Sequence, residues 1–152
     1  MRVVASLAVA VLLSTPALPA VASGIDNKSP DMDSILALES RATQAQPKEQ
    51  CFIYAELVHQ ATELSVKQYA AGDVGKATDL LKRVQQFAQK IHLSMAQGDK
   101  RLKNAEELME HSQHRLSDMA HVATSNERTA VQTTLSQLDK LHARVLALVF
   151  SR

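Results

Sequence analysis

Five side chains able to ligate a metal recur between residues 107 and 121: Glu107, His111, His114, Asp118 and His121. Their intervals run four, three, four and three, so an α-helix carries all five on one stripe. Imidazole and carboxylate at such spacing can chelate a divalent transition ion, with zinc, nickel or copper suited to the donors. His111 with His114, or Asp118 with His121, forms a ligand pair at one turn's spacing.

The helix that would carry the stripe also weakens it. With Met109 and Leu116 at heptad position a and Ser112 and Met119 at d, the five residues fall at c and f. Those positions face water in an antiparallel bundle, where polar residues stand in any case. A firm metal site also needs partners that orient each imidazole, and a solvated stripe does not supply them by itself. Asp118-Met119-Ala120-His121 resembles the carboxylate-x-x-His element of di-iron helical bundles. Those cofactors need two such elements with inward-facing carboxylates; one outward element argues against them.

The other candidates are isolated. His59, His92 and His142 fall on different helices and at different levels, as surface or boundary residues do. His92 follows the seam residue Ile91 and stands level with Tyr54, within reach of its hydroxyl. Cys51 is the single cysteine, so no internal disulfide forms. Its neighbours Gln50 and Phe52 offer no base or cation to activate a thiol, and a small buried hydrophobe is the expected role. An intermolecular disulfide is the alternative. No G-x-S-x-G, H-E-x-x-H, Cys-x-x-Cys or glycine-rich phosphate loop occurs, and catalysis is not expected. Along 100–110, Lys103 with Glu106, and Lys100 or Lys103 with Glu107, have the spacing of helix-surface ion pairs.

The elements that position these residues are helices. Gly and Pro number four each in 152 residues, too few for a turn-rich β fold. Ser29 can cap a first helix with Pro30 at its opening position and acids at 31 and 33. Ile35, Leu38, Ala42 and Ala45 give it one apolar face. Pro47 interrupts, and the phase changes to Tyr54, Leu57, Ala61, Leu64, Gln68 and Ala71. The segment 30–71 is therefore one helix kinked at 47, or two helices, ending at Gly72. Asp73 caps the next.

From Val74 every position at alternating steps of three and four through Met119 is apolar, save Gly98 and Ser112. This heptad seam predicts one long central helix over 73–122, with no proline to stop it. The alternative is two collinear helices broken at Gln97-Gly98-Asp99, since glycine costs about 1 kcal/mol of helix propensity. Thr124 and Glu127 fit a capping box for a third helix over 125–151. Its stripe is Val131, Leu135, Leu138, Val145 and Val149, and its end, 145–150, is apolar on all sides.

Short connections make the helices antiparallel neighbours. The expected fold is all-α: an elongated antiparallel three-helix bundle or coiled coil with a kinked first helix and a long central helix. In it Cys51, the middle of the central helix and Phe150 meet at mid-bundle. Residues 72–81 are similar to the inter-helix turn of tetratricopeptide repeats, but the likeness covers one turn and no second copy follows.

Residues 1–22 carry Arg2, an apolar run from Val3 to Leu13, then Pro16, Pro19 and Ala20-Val21-Ala22. These are the parts of a secretory signal peptide, and the run is about half of what a membrane span needs. A leader over 23–28 would follow, then a helical domain over 29–152, exported to a periplasm or the exterior. Without Arg2 the chain carries sixteen charges of each sign. It lacks the basic excess that neutralises phosphates, so nucleic acid is not an expected partner. With no Trp and five aromatics, a base-stacking platform is not expected either.

The leader-like start, the QCFIYAELVHQ helix and the KRLKNAEELM helix together resemble small exported all-helical proteins of soil bacteria. That resemblance implies a fold and no activity. The expected role is a non-enzymatic interaction or structural module with an unknown protein partner or a second copy of itself. Tyr54, Leu57, Phe87, Ile91, Met95, Val149 and Phe150 are its expected packing or partner contacts. The competing expectations are a divalent-metal or metal-stress protein using the histidine stripe, and contact with a membrane surface through the apolar tail.

Overall fold

The computed structural model describes residues 29–97 and 100–151. The expected signal peptide (1–22) and leader (23–28) lie outside the described residues, as do Gly98 and Asp99. The described chain is all-helical: α1 (Met32–Gln44), α2 (Pro47–Ala70), α3 (Val74–Ser94), a 3-10 turn (Met95–Gln97), α4 (Leu102–Val122) and α5 (Ser125–Phe150). None of these helices is long and apolar enough to cross a membrane.

Local chemistry sets the boundaries. Asp31, rather than the expected Ser29, caps α1: its Oδ1 accepts from Ser34 N–H at 2.8 Å while Ser34 Oγ accepts from Asp31 N–H at 3.1 Å. Pro47 opens α2 at a position whose N–H needs no helical partner, so the segment 30–71 is two helices separated at Ala45 and Gln46. Gly72 ends α2 with φ +82°, a conformation in which other residues are strained. Asp73 caps α3 by accepting from Lys76 N–H at 3.3 Å. At the start of α5, Glu127 reaches back to accept from Thr124 N–H at 3.3 Å.

The long central helix is the main correction. Helix α3 stops at Ser94, tightens into the 3-10 turn, and α4 begins only at Leu102. The two are not collinear. Arg115 meets Glu63, His111 meets His59, and Tyr69 Oη donates to the Val122 carbonyl at 3.3 Å, so α4 runs parallel to α2. Ser65 Oγ donates to the Ala77 carbonyl at 2.9 Å across the antiparallel α2–α3 pair. Gln113 reaches Asp139, and His142 reaches Glu106, across the antiparallel α4–α5 pair. The bundle is thus two α-hairpins standing the same way up. Helices α2 and α5 each pack on both α3 and α4, which places α3 and α4 at opposite corners.

A physical reason lies in burial. A straight helix over 73–122 would carry half its seam beyond the reach of α2; reversal lets both halves share one core. Every described seam residue from Ala77 to Met119 is indeed buried. Helix α1 packs on α2 and ties to α3 through the Glu39–Arg83 ion pair. With three neighbours, α2 buries Cys51, Phe52, Ile53, Tyr54 and Ala55 in succession instead of a single stripe. Cys51 has no exposed surface, in keeping with the small-hydrophobe reading. Because α4 runs back alongside α2, the Cys51 level is one end of the bundle and not its middle.

Candidate functional site

Four of the five stripe residues stand on the open side of α4. Glu107, His114, Asp118 and His121 are exposed. His114 Nδ1–H donates to the Glu110 carbonyl at 2.9 Å, and His121 Nδ1–H to the Ser117 carbonyl at 2.7 Å. Both rings are thereby oriented by their own helix, leaving Nε2 outward. His111 departs from the stripe. Although exposed, its ring stands edge-on to His59 with centroids 6.3 Å apart. Helix α4 has neighbours on two flanks, α2 and α5, and His111 lies on the flank toward α2. Among the described residues, no three His, Cys, Asp or Glu side chains converge into a group that would hold a metal ion.

The histidines that looked isolated each find a partner across a helix pair. His59 lies between α2 and α4 beside the Glu63–Arg115 pair, whose Oε1 and Nε are 2.8 Å apart, and its Nδ1 has no hydrogen-bond partner. Burial is the main reason its pKa lies below the usual value; Glu63 opposes the shift, while His111 and Arg115 add to it. His142 Nε2 donates to Glu106 Oε1 at 2.7 Å, mostly out of solvent. Glu106 therefore faces α5 instead of pairing with Lys103 along its own helix. His92 Nδ1 accepts from Arg144 Nη1 at 2.9 Å. The expected Tyr54 contact does not form: residue 92 sits about 100° round the helix from Ile91, toward α5, and Tyr54 packs instead on Phe87. These pairings depend on the register between helices, which a single helix's pattern does not contain.

A groove of about 690 Å³ lies between the parallel helices α3 and α5. Its floor is polar. Gln85 Nε2 donates to the buried Thr134 Oγ1 at 2.8 Å, and Gln137 Nε2 donates to the Gln85 carbonyl at 3.1 Å. Gln89, Gln132, Gln137 and Ser136 supply amides and a hydroxyl to the walls, while Lys140, Arg144 and His92 crowd one end. Among the described residues no carboxylate and no Phe, Tyr or Trp lines it. Lys140 and Arg144 have no carboxylate partner among the described residues, whereas Arg83 and Arg115 each do. Of this groove the sequence reading had only Arg144's neighbour His92 in view. The one available signal was the run of Gln, Ser and Thr at helical spacing from Thr129 to Gln137.

The apolar tail of α5 is buried on one side only. Val145 is buried, but Leu148 and Phe150 are exposed, Phe150 at 80%. Leu93, near the end of α3, is 69% exposed. Because α3 and α5 run parallel, these residues belong to the same end of the bundle. Comparison with known proteins adds no relative: no family model, no curated protein and no solved structure matches the chain.

Proposed function

We propose that the protein is an exported, non-enzymatic interaction module, working through a protein partner or a second copy of itself. The observation that carries this reading is the exposure of Leu93, Leu148 and Phe150 at one end of the α3–α5 pair. Large apolar side chains left in water beside a well-buried core are where association gains the most. Of the residues expected as contacts, Tyr54, Leu57, Phe87, Ile91 and Met95 are core, so their role is packing. Phe150 is the one left fully available. The finer picture of a coiled-coil-like bundle fits this reading, with two hairpins in place of three long helices. Export rests on the pattern of residues 1–22.

The absence of catalytic motifs supports a non-enzymatic role, as does the way titratable groups engage one another, Glu63 with Arg115 and Glu106 with His142. Native mass spectrometry of protein purified from an oxidising compartment tests the reading. A defined oligomer or a retained protein partner, lost in Phe150→Asp, is expected. A monomer without partner in both proteins would overturn it.

Capture of zinc, nickel or copper at the α4 surface is the second reading. It is favoured by the Nδ1–carbonyl hydrogen bonds that hold the His114 and His121 Nε2 atoms outward. The same spectra, with added metal, should then show a bound ion that the His111/His114/His121 triple alanine variant loses.

A further inference from the structure

The α3–α5 groove gives the interaction reading, on which this inference rests, a second and chemically distinct contact surface. We propose that the groove takes an extended acidic peptide segment of a partner protein. The main chain would lie along the amide-lined stretch, and its carboxylates would sit at Lys140 and Arg144.

Three observations carry it. The first is charge. The chain as a whole is almost balanced, yet this groove has two cations without carboxylate partners at one end and no lining carboxylate among the described residues. An anion would therefore meet attraction with little repulsion nearby, and Arg144 is already held in place by His92 at 2.9 Å.

The second is the lining. A glutamine side chain carries an acceptor and two donors in one plane, matching a peptide unit, so Gln89 and Gln132 can pair with main-chain N–H and C=O groups. An extended chain has such groups to satisfy at every residue. The groove offers no aromatic ring for base stacking, which disfavours single-stranded nucleic acid.

The third is length. The α5 wall runs from Thr129 to Arg144, about 22 Å at the helical rise. At about 3.3 Å per residue, roughly seven residues of extended chain fit along it. Hydrogen bonds among Gln85, Thr134 and Gln137 join the two helices that form the walls.

Fluorescence anisotropy of the folded chain tests this with a fluorescein-labelled octapeptide of alternating Gly and Glu. The corresponding Gly and Lys octapeptide should not bind. Lys140→Ala with Arg144→Ala should weaken binding about ten-fold, as loss of two partly exposed charge contacts implies. Lys48→Ala with Lys103→Ala removes the same charge from exposed sites on α2 and α4 and should change binding less than about two-fold. Gln89→Ala with Gln132→Ala should weaken it about three-fold through the lost amide pairs.

All six substituted residues are exposed, and thermal melts confirm folding before each titration. Equal weakening by the two lysine-containing double variants would reduce the effect to net charge and overturn the proposal. So would indifference to the glutamine pair. An oligogalacturonate of equal charge binding more tightly than the peptide would assign the groove to acidic carbohydrate instead. Failure here with an intact Phe150-dependent complex would sink the groove and leave the interaction module standing.

Discussion

Helix α3 has two flanks, and they are held in opposite ways. Toward α2 it meets a dry interface: Tyr54 against Phe87, with Leu57, Leu80, Leu81, Val84 and Ile91 all buried. Toward α5 it meets a polar one, where Gln85, Thr134, Gln137, His92 and Arg144 bridge the helices by hydrogen bonds. Apolar burial is non-directional and grows with area, so the α2 flank fixes which helices adjoin. Hydrogen bonds exchange with water at little net gain, so the α5 flank adds less stability and leaves room for a ligand. The fold is built on one side of α3, and the candidate site opens on the other.

Stability should divide along that line. Leu57→Ala empties a fully buried site at the centre of α2 and should cost about 2–5 kcal/mol in urea unfolding. Thr134→Ala removes the hydroxyl that accepts from Gln85 and should cost about 1 kcal/mol. A Thr134→Ala cost equal to that of Leu57→Ala would erase the distinction between the flanks.

Converting the polar flank sharpens the comparison further. Thr134→Val combined with Gln85→Leu replaces both partners of one bridge by apolar groups and leaves neither stranded. The double variant should stay within about 1 kcal/mol of the parent. Peptide binding in the groove should persist in the same protein, because neither residue lines it and Gln137 keeps its bond to the main-chain carbonyl of residue 85. A loss of several kcal/mol would mean that the polar bridges, and not the dry flank, hold α3 in place.

The same contrast explains what the sequence could and could not reveal. The heptad seam identified buried residues from Ala77 to Met119 correctly while mistaking their helix. Met95 and Leu102 are seven residues apart, one full heptad, so a reversal between them leaves the periodicity undisturbed. Caps at Asp73 and Glu127 and the turn at Gly72 were legible because each depends only on residues a few places away. The succession Cys51 to Ala55 was not legible as all-round burial, because it reflects how many helices surround α2. The polar flank was the least legible part. Glutamine and threonine at helical spacing describe a wet face equally well, until Gln85 and Thr134 are seen to meet.

The smallest effect expected is a dependence on pH, centred on the α2–α4 contact. Burial holds the His59 pKa below its usual value near 6.5, with His111 and Arg115 adding to the shift and Glu63 opposing it. The unfolded chain therefore takes up this proton at higher pH than the folded chain does. The stability contribution is complete above about pH 6.5. It is lost as pH falls from there toward the lowered folded value, and the loss levels off below it. His59→Leu removes the titration and the unpartnered buried Nδ1 together, so its melting temperature should decline less between about pH 7.5 and about pH 5 than the parent's. His111→Ala removes one of the lowering influences and should give an intermediate slope. A His59→Leu profile as steep as the parent's would place the acid sensitivity outside the His59 contact.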